Sequence, residues 1–152
     1  MIDILVIPIS TPILVGVYEN NKLIETIKKD GKTSDILPVI IEDILNGYKL
    51  SSIYYVNGPG SYMAIKIAYI FLKSITITKD IDFFATNGFK FNNNTPIKAL
   101  GKKYFFNSKD DKITIKLLKD LNTIEDFELP VDLDVTIFTK DCLPQYNLPA
   151  VY

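Results

Sequence analysis

The sequence contains no histidine, and this absence excludes several kinds of catalytic site. Histidine is the side chain most often used for proton transfer near neutral pH, and it is the commonest protein ligand of metal ions. Catalytic triads built on Ser-His or Cys-His pairs are therefore excluded. The acidic pairs 110–111 and 125–126 fall in polar loops, and 42–43 falls on the solvent side of a predicted helix, as expected of solvated charges. We expect no catalytic residue and no metal site.

Arginine is also absent, because all 17 basic residues are lysine. Eighteen acidic residues balance them, for a formal net charge of -1. The chain therefore lacks the planar guanidinium group that binds phosphate and guanine through two hydrogen bonds at once. We expect no strong nucleic-acid binding by this chain alone.

A single cysteine, Cys142, excludes an internal disulfide and a cysteine cluster for zinc. The first apolar run is short, ends at Pro8 and has no basic residue before it, so it predicts neither a signal peptide nor a membrane span. A chain of 152 residues can bury a core large enough to fold without cross-links. These features predict a cytoplasmic protein with no membrane partner.

The first third of the chain predicts three antiparallel strands. Apolar, β-branched runs cover 4–9 and 12–18, and 22–28 alternates weakly. Asn20 and Asn21, between the last two runs, suit a tight hairpin turn. The chain is therefore expected to open with a three-stranded meander.

Two helices and two short strands are predicted next. The first helix has Thr33, Ser34 or Asp35 as its cap, Pro38 in its first turn and Gly47 just past its end. The second helix is predicted from Ser61 to Ile77. Short strands are predicted at 52–56 and 82–85.

The remainder is less regular. The Asn- and Gly-rich stretch 87–94 predicts a loop and a boundary between a first lobe, 1–90, and a second lobe, 91–152. The patterns at 97–106 and 131–138 indicate strands, and 113–121 fits either a strand or a helix. The tail after Leu143 is predicted to be irregular.

This order of elements predicts an α/β fold with one mixed sheet and flanking helices. It suits a ribonuclease H-like, actin-like (ASKHA) lobe. The turn Gly58-Pro59-Gly60-Ser61, between a strand and a helix, has two interpretations. Gly58, Gly60 and Ser61 could hold an anion at the helix N-terminus, or the turn could simply need glycine conformations. Tyr62 and Met63 stand where the Lys-Ser/Thr of a phosphate loop would begin.

The second predicted helix is apolar over an arc of roughly 220°, about twice what packing on one sheet requires. The stripe at 64, 68, 71 and 75 includes two alanines that would let another helix approach closely. Either a partner protein or the chain's own second lobe would cover this stripe. The predicted partner interface consists of Ile36, Val39, Ile40, Asp43, Ala64, Ile67, Ala68, Phe71 and Ile75.

Three segments resemble the TsaB (YeaZ-like) family. Residues 57–68, Asn-Gly-Pro-Gly-Ser-Tyr-Met-Ala-Ile-Lys-Ile-Ala, resemble the family's Gly-Pro-Gly-Ser-Phe-Thr-Gly-Leu-Arg-Ile-Gly segment. Ser34-Asp35-Ile36-Leu37-Pro38 resembles its Ser-Glu-x-Leu-Pro helix start, and 7–11 resembles its opening Ile-Asp-Thr-Ser-Thr. Three positions depart from the pattern. Pro8 replaces an aspartate, Thr33 replaces a frequent histidine, and Asn57 stands where arginine is common.

The resemblance implies an actin-like lobe followed by a shortened second lobe. It also implies a non-catalytic subunit that dimerises through its two helices with a TsaD-like transferase subunit. In that family the transferase places threonylcarbamoyl on tRNA, and a TsaE-like ATPase joins the assembly. The resemblance further implies a homodimer when the chain is alone and only indirect contact with tRNA. No cofactor is expected on this chain alone, and ATP or ADP is expected only at the assembled complex.

Two other functions remain open. The first is an enzyme, either a degenerate actin-like ATPase or phosphotransferase, or a glycoprotease-like hydrolase. It conflicts with Pro8, since proline cannot bind a metal ion, and with the missing histidine. The second is a free-standing homodimeric scaffold, which differs from the transferase subunit only in its partner.

Overall fold

A computed structural model describes residues 1–110 and 112–147 of the chain. The strands and helices, in chain order, are β1 (Ile2–Ile7), β2 (Ile13–Glu19), β3 (Lys22–Lys29), α1 (Thr33–Gly47), β4 (Leu50–Val56), α2 (Tyr62–Lys79), β5 (Asp82–Thr86), β6 (Ile97–Leu100), β7 (Lys103–Asn107) and β8 (Ile113–Leu117). Short 3-10 helices occupy Gly88–Phe91, Leu121–Thr123 and Val135–Ile137.

The first sheet has five strands in the order β3-β2-β1-β4-β5. β1, β2 and β3 form an antiparallel meander, and β4 and β5 run parallel to β1. The hairpin between β2 and β3 turns at Asn20 and Asn21, whose φ angles are 50° and 62°, in the left-handed region that asparagine tolerates. Pro8 and Pro12 have no N–H to donate to a sheet, so β1 ends before Pro8 and β2 begins after Pro12.

Helix α1 begins one to three residues earlier than the sequence suggested. Its N-cap position is Lys32, and no side chain caps it, so the predicted caps at 33–35 are wrong. All three residues lie inside the helix, where the backbone N–H of Asp35 donates to the carbonyl of Lys32 at 3.0 Å. Pro38 consequently lies in the second turn, not the first, and Gly47 is the last helical residue.

The two helices lie on one face of the first sheet, which confirms the predicted α/β class with a mixed sheet. The core between the helices and the sheet contains Ile4, Val6, Val15, Val17, Leu37, Ile40, Ile41, Ile53, Tyr55, Ala68 and Leu72, together with the neighbouring apolar side chains. Strands β1 and β4 are apolar at nearly every position because both of their faces are buried. The ribonuclease H-like, actin-like assignment stays a prediction.

The opposite face of the first sheet is covered by the segment 127–138, which has almost no regular structure. The predicted strand at 131–138 is therefore wrong. The side chains of Leu133 and Phe138 pack down onto the sheet, while isolated bridges join Asp132 to Lys22 and Thr139 to Ala85. Since these two partners lie on β3 and β5, the segment crosses the sheet from edge to edge and cannot pair along any strand.

The second sheet has three antiparallel strands in the order β6-β7-β8. The single strand predicted at 97–106 is two strands, separated by a turn at Gly101 (φ 59°). The sequence left 113–121 open as either a strand or a helix. In the structure, 113–117 is a strand. Ile97 and Phe105 are buried against Phe89. The predicted division into lobes 1–90 and 91–152 stays a prediction, although residues beyond 90 cover both faces of the first sheet.

Candidate functional site

Helix α2 presents one side to the core and a different side to solvent. Its start is capped by Ser61, whose hydroxyl accepts a hydrogen bond from the N–H of Ala64 at 3.4 Å. Its end is closed by Asp80, which adopts the left-handed conformation (φ 54°) and donates its N–H to the carbonyl of Thr76. The buried residues of the helix are Ile65, Ala68, Leu72 and Thr76. They recur at three- and four-residue intervals and form the core side of α2.

The solvent side of α2 carries large apolar side chains. Met63, Ile70 and Ile77 are 57%, 54% and 69% exposed. They follow one another at seven-residue intervals, and Ile67 and Ser74 lie between them at the same spacing. This is the a/d pattern by which one helix packs along another. We call Met63, Ile67, Ile70, Ser74 and Ile77 the helix surface.

The polar member of the helix surface does not interrupt it. The hydroxyl of Ser74 donates to the carbonyl of Ile70 at 2.8 Å, so its hydrogen-bonding need is met inside the helix. Charged residues lie to one side, where the ammonium of Lys66 stands 5.8 Å from the centre of the Tyr62 ring. The helix surface is therefore an apolar strip about four turns long, with lysines along one border.

Two residues of the predicted interface are corrected by the structure. Ile40 and Ala68 are buried inside the chain, at 2% and 0% exposure, because both face the sheet. Val39 and Asp43 are exposed. The partly buried members are Ile36, Ala64, Ile67, Phe71 and Ile75.

The predicted stripe and the helix surface lie on different sides of α2. At about 100° per residue, the stripe at 64, 68, 71 and 75 is rotated by roughly 120° from Met63, Ile70 and Ile77. Only Ile67 belongs to both the prediction and the helix surface. The seven-residue spacing of the three exposed residues was visible in the sequence and could have identified them.

The turn before α2 is occupied by the chain's own tail. The side-chain amide of Asn57 donates to the carbonyl of Leu143 at 2.9 Å, and the N–H of Gln145 donates to the carbonyl of Asn57 at 2.7 Å. The rings of Tyr62 and Tyr146 lie 4.3 Å apart. The described part of the tail, up to residue 147, is irregular as predicted.

The glycines of this turn are explained by these contacts. A Cβ on Gly58 (φ 130°) would lie 2.1 Å from the carbonyl oxygen of Gln145. A Cβ on Gly60 (φ 159°) would lie 2.5 Å from a side-chain carbon of Ile9. These two close approaches explain why the turn needs glycine at both positions. Anion binding by Gly58, Gly60 and Ser61 stays a prediction.

Buried hydroxyl groups hold the C-terminal segment against the first sheet. Tyr18 donates to the carbonyl of Pro130 at 2.7 Å, and Tyr55 donates to the carbonyl of Cys142. Burial raises the pKa of both hydroxyls above its ordinary value, so both stay protonated as donors at neutral pH. Burial likewise raises the pKa of the Cys142 thiol to about 11. The two tyrosines anchor the segment, and the charge of Lys73 partly offsets the effect of burial on the pKa of Cys142.

A cleft of about 740 Å³ opens between the turn, the start of α2 and strand β6. Ser10 lines it, as do Tyr62 and Tyr104. Asn92 lies at its floor, 2% exposed, and donates its side-chain amide to the carbonyl of Thr95 at 3.0 Å. Its Oδ1 has no hydrogen-bond partner among the described residues. Within residues 1–110 and 112–147, no three His, Cys, Asp or Glu side chains are grouped closely enough to hold a metal ion.

Comparison with known proteins rests on structure alone. No protein-family model matches the sequence, and no curated protein matches it. Among solved structures, YeaZ from Pseudomonas aeruginosa superposes with a TM-score of 0.57 over 84% of this chain, at 10% sequence identity. The chain has a YeaZ-like fold. It spans 64% of the length of that YeaZ structure.

A second solved structure supports the same YeaZ-like fold. It is described as an uncharacterized protein with similarity to peptidase YEAZ from Pseudomonas aeruginosa, and it matches with a TM-score of 0.54 and 10% identity over the same shares of both chains. The enzyme alternatives stay hypotheses. In the part of the chain that the structure covers, neither helix is both long and apolar enough to cross a bilayer.

Proposed function

We propose that this chain is a non-catalytic subunit that docks through the helix surface on a TsaD-like threonylcarbamoyl transferase and supports its modification of tRNA. The observation that carries the proposal is the exposed seven-residue repeat Met63, Ile70, Ile77 on α2. The YeaZ-like fold and the TsaB-like segments at 7–11, 34–38 and 57–68 support the choice of a TsaD-like partner. In this proposal the partner supplies the metal and the chemistry.

The apolar character of the helix surface favours a helix as the binding element of the partner. Fully burying an exposed isoleucine or methionine contributes about 1.5–3 kcal/mol. The three half-exposed side chains would together contribute about 3–5 kcal/mol when covered. Val39, which is 49% exposed on α1, could add a further contact. A partner helix with its own apolar a/d stripe would pack along α2 at a crossing angle of about 20°.

The remaining partners follow from the same proposal. A TsaE-like ATPase joins the assembled pair, and ATP or ADP binds there and not to this chain alone. Without the transferase, the helix surface would be covered by a second copy of this chain. Contact with tRNA then belongs chiefly to the transferase, in the cytoplasm.

Light scattering coupled to size exclusion tests the proposal. The wild-type protein should form a one-to-one complex with the transferase, while the double variant Ile70→Lys/Ile77→Lys should elute separately from it. The matched control is Leu121→Lys, since Leu121 is 62% exposed and lies outside the helix surface. Complex formation by the double variant, or none by the wild type, would reject the proposal.

A further inference from the structure

The second sheet concentrates the positive charge of the chain. Residues 97–119 contain seven lysines and two acidic residues, for a net charge of +5, whereas the rest of the chain carries -6. The overall charge of -1 therefore hides a basic region. No lysine of this sheet lies within ion-pair distance of a carboxylate of a described residue, and the recorded ion pair joins Lys22 to Asp132.

The outer face of this sheet combines lysines with aromatic rings. In the strand pairing, Tyr104 on β7 lies directly between Lys98 on β6 and Lys116 on β8. Phe106 is on the same face, two residues along β7, and the ammonium of Lys116 stands 5.7 Å from the centre of its ring. Both rings are partly exposed. We call Lys98, Leu100, Tyr104, Phe106, Thr114 and Lys116 the sheet surface.

The inner face of the same sheet has a structural role that the sheet surface lacks. Ile97, Phe105 and their neighbours Ala99, Ile113 and Ile115 point inward to the small core around Phe89. Alternation along each strand therefore leaves Tyr104 and Phe106 outside that core. Two aromatic side chains on a small exposed sheet, flanked by lysines that form no ion pair with any described carboxylate, are not accounted for by folding.

We propose that the sheet surface binds single-stranded RNA, with Tyr104 and Phe106 stacking on unpaired bases and Lys98 and Lys116 contacting phosphates. Aromatic side chains on an open sheet are a common platform for unpaired bases, and lysines beside them neutralise the backbone. The two rings, two residues apart on one strand, stand roughly 7 Å from each other. Lys98 and Tyr104 also border the cleft beside α2, but Glu125 and Asp126 line that cleft too, so the bound strand is expected to stay on the sheet surface.

This inference does not depend on the transferase. It modifies the expectation from composition, because lysines without arginine can neutralise phosphates even though they do not read bases. It predicts sequence-tolerant, salt-sensitive binding of moderate strength. An acidic protein segment is the competing ligand for the lysines, but it would not need the exposed rings.

Fluorescence anisotropy with the purified full chain and a labelled oligouridine of about 12 nucleotides tests the proposal at low salt. Saturable binding is expected, and Tyr104→Ala should weaken it about tenfold. Lys98→Gln/Lys116→Gln should lower the slope of log affinity against log salt by about 1.4, since each phosphate contact on a single strand contributes about 0.7. The matched control, Lys49→Gln/Lys79→Gln, changes charge equally elsewhere and should leave the slope unchanged.

The lysine variants keep the test valid if Tyr104→Ala perturbs the sheet, because Lys98 and Lys116 are exposed. Circular dichroism checks the fold of each variant. The proposal is overturned if the wild type shows no saturable binding. It is also overturned if both lysine pairs behave alike, or if polyglutamate competes fully while Tyr104→Ala binds RNA normally.

Discussion

The exposed side of α2 and the outer face of the second sheet differ in what they offer a partner. The helix surface presents Met63, Ile70 and Ile77 with no charge between them, whereas the sheet surface presents Lys98 and Lys116 around two aromatic rings. Burial of apolar area depends little on salt, but phosphate binding depends on counterion release. The difference matches the two separate binding roles proposed for this small chain.

The largest expected effect comes from comparing substitutions on the two sides of α2, and it concerns the stability of the fold. Ala68→Arg should lower the free energy of unfolding by about 4 kcal/mol or more, because Ala68 is fully buried and the arginine would be overpacked and unpaired. Ile70→Lys, two residues along the same helix, should change it by about 0.5 kcal/mol or less. Urea unfolding followed by circular dichroism measures both. Equal losses would show that the helix surface is part of the core.

A second variant tests whether the tail bounds the helix surface at its N-terminal end. Gly58→Ala should displace the tail, because the new Cβ would overlap the carbonyl oxygen of Gln145. Released Cys142 would return from a pKa of about 11 toward its ordinary value, which raises its thiolate fraction at pH 8 roughly a hundredfold.

The rate at which a thiol reagent modifies Cys142 in the folded protein measures this release. Gly47→Ala is the control, since nothing lies within 4 Å of its Cβ position, and it should leave the rate unchanged. A slow, unaltered rate in Gly58→Ala would mean that the tail does not depend on this turn.

The salt dependence of binding should distinguish the two surfaces directly. Raising salt from about 50 to 200 mM should weaken RNA binding by the sheet surface roughly sevenfold, if Lys98 and Lys116 contact about two phosphates. The same change should alter transferase binding by the helix surface by less than about threefold, since it is apolar. Anisotropy and light scattering on the same preparations provide the two curves. Parallel curves would contradict the assignment of separate roles.

The smallest expected effect concerns the ion pair between Lys22 and Asp132. Both side chains are mostly exposed, so Asp132→Asn should change the free energy of unfolding by less than about 0.5 kcal/mol. Thermal unfolding at two salt concentrations measures the change. A larger effect would mean that surface charge, and not the apolar core, holds the C-terminal segment on the first sheet.

The sequence predicted those elements whose periodicity reflects local burial. The meander, both helices and the strands around them follow from alternation and turn residues, and the structure confirms them with shifts of a few residues. The strand predicted at 131–138 was wrong because its apolar residues, such as Leu133 and Phe138, pack across a sheet and not within one. Periodicity alone does not distinguish these two arrangements.

The candidate site was only partly predictable for the same reason. The excess apolar arc of the second predicted helix correctly indicated a second apolar side, but the sequence could not show which side faced the sheet. The alanines at 64 and 68 suggested close helix packing, while Ala68 in fact packs against the chain's own core. The basic character of the second sheet was not predicted, because the net charge of the whole chain also counts the acidic residues elsewhere.

Thiol footprinting of the helix surface tests the central proposal most directly. In a Cys142→Ala background, Ile70→Cys places a thiol within the helix surface, and Leu121→Cys places one outside it at similar exposure. Excess transferase should slow modification at position 70 by about tenfold or more and leave position 121 unchanged. Equal rates at position 70 with and without the transferase would contradict docking through α2.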